Sequence, residues 1–241
     1  AFGASLVMYL GLAGGTLVIA EAGILPLASM AGGLGALFAV LSLSRIGGTV
    51  RRETMVLAGI VVATFLSALI SLVKSLDEES VASIVFWIMG SFQGRGWGFL
   101  FMFAPWFVVG LLIVFAWFRE LDILGLGEVQ AKQLGVDAGR ARTWLLVGAS
   151  LLAGAAVSVA GVIGFVGLVV PHLIRLVRSG DAAMLLPASG MLGGILLVWS
   201  DTAARVLLPG GAELPVGVVT ALFGGPFFIL LLRMKKPGGQ T

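Results

Sequence analysis

Few residues in this chain could do chemistry, and they lie in three places. In GFVGLVVPHLIRLV, Gly164 to Val177, an apolar run takes in Pro171, the single histidine His172 and Arg175 within five residues. Asp201 and Arg205 stand four apart, the spacing at which two side chains on one helix meet as an ion pair. Glu213 precedes Leu214 and Pro215, a carboxylate at a helix start, where the macrodipole favours it. One histidine without any cysteine offers too few nitrogen and sulfur ligands for a zinc-type centre. No GxxxxGK[ST] loop, GxSxG elbow or HExxH pair occurs. The chain is therefore read as not an enzyme, with no catalytic, metal or cofactor site of its own. His172 reads as structural. Asp201 and Arg205 read as a local pair that carries a charged turn across a headgroup layer, or as a docking point for an acidic partner.

The elements that hold these residues follow from composition. The 241 residues are 59% hydrophobic and only 11% charged, where a soluble domain carries about 25% charged residues. Surface that never meets water accounts for the difference, so this is a polytopic membrane protein. Its apolar runs are about 20 residues long rather than alternating stretches of about 10, which makes it all-α rather than a barrel. Thirty-six glycines point to closely packed helices and interrupted spans. The net charge of +3 is not a nucleic-acid signal, because the arginines gather in alternate loops.

Eight membrane segments are expected, at 3–20, 25–44, 54–74, 98–118, 143–164, a short one at 166–178, 183–207 and 214–232. Arg45, Arg51 and Arg52 follow the second, and Arg119, Lys132, Arg140 and Arg142 follow the fourth. Arg175 and Arg178 end the sixth, and Arg233, Lys235 and Lys236 follow the eighth, so one side holds twelve of the fifteen basic residues. The positive-inside rule makes that side cytoplasmic. Pro171 is expected to break the sixth segment, with Gly164 and Gly167 permitting close helix contact and Arg175 anchoring the inner end. Gly224, Gly225 and Pro226 are expected to interrupt the last segment in the same way.

Two loops exceed a simple turn. The outer one contains SVASIVFWIMGSF, too short to span and read as an interfacial or re-entrant helix ending at Gly90. The inner one, 119–142, has helix formers from Glu128 to Leu134 and a helix stop at Gly135. A faint repeat relates MAGGLGALFAVLSLSR and ETMVLAGI to MLGGILLVWSDTAAR and ELPVGVVT, about 160 residues later. An odd number of segments separates the copies, which would place them in opposite orientations, as in many transporters.

GVIGFVGLVVPHLIRLV, LLPASGMLGGILLVWSDTAAR and ELPVGVVTALFGGPFFILLL resemble the FecCD family of ABC-importer permeases, which carry iron-siderophores, haem and cobalamin. LDILGLGEVQAKQLGV resembles the family's cytoplasmic coupling loop, and FWIMGSFQGRGW its preceding segment. The likeness covers essentially the whole chain. It implies one permease domain over 1–241, with eight spans of a ten-span inverted-repeat bundle and the family's first two not in this chain. It also implies a homodimer in a bacterial inner membrane. Two ATPase subunits, which would hold ATP and Mg, would dock below, and a periplasmic binding protein above. Carried over residue by residue, the ATPase would meet Leu126, Gly127, Glu128, Ala131, Leu134 and Gly135. The binding protein would meet Arg205, and the cytoplasmic gate would fall at Arg52, Glu53 and Thr54, where RRET replaces the family's small hydroxyl residues. Gly164, Gly167, Pro171, His172, Arg175, Pro215, Gly225 and Pro226 would shape the interrupted spans. The rival reading is a secondary transporter driven by an ion gradient, which would want an acid or histidine relay in midspan.

Overall fold

Apolar runs of this length can leave water only if each backbone amide finds a carbonyl within its own segment, so helix is the form they take. The computed structural model describes residues 1–10, 19–46, 49–50, 52–76, 78–177, 181–207 and 213–234. In order these form α1 (Phe2–Tyr9), α2 (Ile19–Ser44), α3 (Arg52–Leu76), α4 (Glu78–Met89), α5 (Trp97–Ala116), α6 (Phe118–Gly125), α7 (Glu128–Gln133), α8 (Ala138–Ala160), α9 (Val166–Val177), α10 (Ala182–Val206) and α11 (Val216–Met234). Between α2 and α3 lies a minimal antiparallel ladder, β1 (Arg45–Ile46) on β2 (Thr49–Val50). Among the described residues, five helices are long and apolar enough to cross a membrane: α2 from Ile24, α3 from Glu53, α5, α8 and α10. The protein is a multi-pass, all-α membrane protein.

Two expectations about the spans need correction. The segment expected at 3–20 is not one helix. α1 stops at Tyr9, residues 11–18 lie outside the described residues, and α2 already begins at Ile19 and runs on through Gly23. Nor do the prolines break their helices. Pro26, Pro105, Pro171, Pro187 and Pro226 all lie inside continuous helices. A proline removes one amide from the ladder. In apolar surroundings the other peptide groups have no better partner than their own helix, so they keep it.

The chain divides into two compact units. The first holds 1–88 and 94–161, with α8 packed between α5 and α2, and α1 against α2 and α3. α5 and α8 meet at Gly110 and Gly148, where a methyl group on either would lie within 3.2 Å of the other's carbonyl oxygen. Such small-residue seams replace the hydrophobic drive that lipid cannot supply. Trp87 of α4 closes a small core with Ala4, Val7 and Leu25. The second unit holds 89–93 and 162–241. In it α9, α10 and α11 pack on one another, with Ala204, Val216 and Val219 at the core.

Candidate functional site

The element at 119–142 is ordered by its helix ends. Gly127 caps α7 with φ 114° and ψ 161°, a conformation closed to residues with a side chain. At the other end Gly135 has φ +77°, its amide donates to Lys132 O at 3.0 Å, and the Val136 amide donates to Ala131 O at 2.9 Å. That pair of bonds is a Schellman stop, so Gly135 ends the helix as expected. Asp137 then starts α8, its carboxylate accepting from the amides of Gly139 and Arg140 at 3.0 and 3.1 Å. Arg142 of α8 reaches back to Glu128 at 2.6 Å. Ala131 is fully buried beneath α7, while Leu126, Val129 and Leu134 are 63, 67 and 61% exposed. Capped ends thus hold three apolar side chains outward on a stiff support.

Arg52, Glu53 and Thr54 form the first turn of α3, directly after the β1–β2 ladder. The Thr54 hydroxyl donates to Ser44 O at 3.3 Å, tying the start of α3 to the end of α2, and Glu53 is exposed. This turn is short and braced.

Arg205 lies near the end of α10. Its Nε donates to Asp201 Oδ2 at 2.9 Å, and its Nη1 lies 3.8 Å from Glu213 Oε1, just before α11. The Leu214 amide donates to Ala204 O at 3.1 Å. The local pair expected from the spacing is present, extended to a third charge. The Arg205 side chain is still 45% exposed.

The opening stretch differs most from expectation. α9 runs unbroken through Pro171, and the irregular backbone lies before it, at 161–165. His172 Nδ1 sits 3.0 Å from Leu168 O, and the ring meets Phe228 edge-on at 6.0 Å. Arg175 is exposed in the last turn of α9, and Pro215 is buried directly before α11.

The close approaches are not at Gly164 and Gly167, where a methyl group would meet nothing within 4 Å, and at Gly225 it would make only ordinary contact with Phe165. In this unit they lie at three other glycines. A methyl group at Gly217 would strike Met89 O, one at Gly90 would come within 2.8 Å of Val162 O, and one at Gly224 would enter the Phe165 side chain. Phe165 itself has φ +66°, the one non-glycine residue with positive φ among the described residues. The Gly217 amide donates to Gly90 O at 3.3 Å, so carbonyls that end α4 face the amides that begin α11. Beside this junction Phe165 and residues of α9, α10 and α11 line an open apolar cavity of about 530 Å³. Neither Gly217 nor Phe165 was singled out by motif reasoning, because their meaning depends on what lies opposite. The one signal was that three of the quoted motifs, FWIMGSFQGRGW, GVIGFVGLVVPHLIRLV and ELPVGVVTALFGGPFFILLL, contribute to the same junction.

Residues 1–234 match the profile of the FecCD transport family. The chain belongs to that family. The cobalamin import system permease of Halobacterium salinarum is 42% identical over 209 residues, covering 87% of this chain and 56% of that protein. The Fe(3+) dicitrate transport system permease of Escherichia coli K12 is 35% identical over 213 residues, covering 88% and 66%. A solved structure titled as an inward-facing conformation of a metal-chelate type ABC transporter matches with a TM-score of 0.86 and 31% identity, covering 97% of this chain and 72% of that one. This FecCD chain therefore spans less than two thirds of those two curated relatives.

Proposed function

We propose that this chain forms the membrane path of an ABC importer for a metal chelate of the iron-siderophore, haem or cobalamin type. In this reading residues 1–241 act as one permease domain in a bacterial inner membrane, paired with a second copy. Two separate ATPase subunits supply the energy and hold ATP and Mg, and a periplasmic binding protein delivers the cargo. The permease does no chemistry on what it carries. The observation that carries the reading is the 119–142 element. Leu126, Val129 and Leu134 stand exposed on a helix fixed by Gly127, Gly135, the Asp137 cap and the Glu128–Arg142 pair. A stiff apolar knob is what a partner domain needs to push against, because a loose loop would absorb the motion instead.

Arg205 is the docking residue for the binding protein, and a partner carboxylate would have to compete there with Asp201 and Glu213. Arg52, Glu53 and Thr54 form the gate. Uptake of radiolabelled ferric siderophore, haem and cobalamin by cells expressing the complete importer tests this directly. Gly135→Val and Glu128→Lys should abolish uptake and ATPase association while the protein still inserts. Unchanged uptake and association in both variants would remove the basis for the reading.

A further inference from the structure

We propose that Glu213 is an internal stand-in for a carboxylate of the binding protein, and that docking exchanges one for the other on Arg205 and so frees the start of α11. This rests on the reading of Arg205 as the docking residue and adds what docking does to the permease.

Two carboxylates hold Arg205, and they hold it unequally. Asp201 lies one turn back on α10. It accepts from Nε at 2.9 Å, with a second, longer contact from Nη2 to Oδ1 at 3.4 Å. Both partners belong to one helix, so the pair keeps the guanidinium aimed wherever α10 goes. Glu213 stands outside any helix, and its Oε1 is 3.8 Å from Nη1. That is attraction without a hydrogen bond. A guanidinium carries five N–H donors, and Asp201 engages one on Nε and one on Nη2. The donors left on Nη1 and Nη2 form the fork on which a carboxylate can close at two points. Glu213 sits near that fork without closing on it.

Charge decides which partner leaves. One guanidinium already faces two carboxylates, so a third would be repelled unless one departs. Asp201 has the two shorter contacts and a shared helix, whereas Glu213 has one long contact. Glu213 therefore goes. The exchange leaves the charge of the site unchanged and replaces a 3.8 Å approach by a hydrogen-bonded pair.

The position of Glu213 makes the exchange matter elsewhere. α11 begins at Val216, which is buried with Ala204 and Val219. The Leu214 amide donates to Ala204 O at 3.1 Å, and the Gly217 amide to Gly90 O at 3.3 Å. Once Glu213 is released, backbone contact and packing rather than charge join the end of α10 to the start of α11. Movement there reaches Gly217, which lies against Met89 O. An acidic group arriving at Arg205 thereby acts on the junction of α4 with α11.

The test uses the assembled importer in lipid nanodiscs, with its own periplasmic binding protein, free of cargo, as the probe. Arg205→Gln should weaken docking. Glu213→Gln should tighten it about threefold at low salt, an advantage that fades at high salt, whereas a mere fastener of the fold would give no gain. The chain has no cysteine, so Leu214→Cys reports on the start of α11. Docking should raise its labelling by maleimide several-fold, and adding Glu213→Gln should leave labelling high with or without the binding protein. If Glu213→Gln does not fold, Glu213→Asp, which draws the charge back from Nη1, should tighten docking in the same direction. Docking unchanged by Arg205→Gln overturns the docking reading and this inference with it. Docking weakened by Arg205→Gln but not tightened by the Glu213 variant that folds overturns the exchange alone, as does labelling at 214 that docking leaves unmoved.

Discussion

At Gly135 the backbone turns through φ +77° with open space around it, whereas at Gly217 it stays inside a helix with a neighbour's carbonyl pressed against its Cα. The first glycine is needed for its conformation and belongs to an element organised by caps and an ion pair. The second is needed for its size and belongs to a junction organised by contact alone. Sequence can announce the first kind, because the demand is local. The second kind depends on residues more than a hundred positions away.

The comparison can be broken by adding one methyl group at a time. Gly217→Ala drives a Cβ into Met89 O, and backbone cannot swing aside as a side chain can. It should cost about 3 kcal/mol or more and lower the yield of folded protein in mild detergent. A yield and thermal midpoint like the parent's would show that α11 and Met89 are not in contact. Gly224→Ala collides with a side chain, so relief by moving Phe165 holds the loss to about 1–3 kcal/mol. The double variant with Phe165→Ala should recover part of it, and failure to do so would mean that Phe165 is not the obstacle.

Gly135→Ala keeps every contact and adds only left-handed strain, about 1–2 kcal/mol. The loss should appear as faster proteolysis at 126–137 with little change in the midpoint of the whole protein. Gly167→Ala has the opposite sign: with space around it and a helical conformation, it should stabilise by about 0.5 kcal/mol. A drop in midpoint there would restore the close helix contact once expected at that position. Glu128→Gln removes a partly exposed pair and should shift stability by about 0.2–1 kcal/mol, read from a double-mutant cycle with Arg142→Gln.

Much of the architecture was legible. The long spans, the short helix ending at Gly90 and the α7–Gly135 stop all follow from run length and cap chemistry, and α2, α3, α5, α8 and α10 are where apolar runs were found. The Asp201–Arg205 pair followed from spacing, although Glu213 as its third member did not, because it reaches Arg205 from the start of the next helix. The interruptions were misplaced. Pro171 and Pro226 look like breaks by propensity, but a single lost amide does not outweigh the hydrogen bonds of the rest of the helix where there is no water to replace them. The actual irregular stretch, 161–165, contains no proline and reads as ordinary apolar sequence. Its conformation comes from the fit of Phe165 against Gly224, a tertiary fact that no window along the chain contains.

The junction of Met89 and Gly90 with Gly217 is made of peptide groups and holds nothing that titrates. Its strength should be the same in dilute and concentrated salt, and at acid and neutral pH. The Arg205 clasp, built from three partly exposed charges, weakens as ions crowd around it. Two fastenings at the start of one helix, α11, therefore answer differently to the surrounding medium: one is indifferent to it, and the other registers its composition.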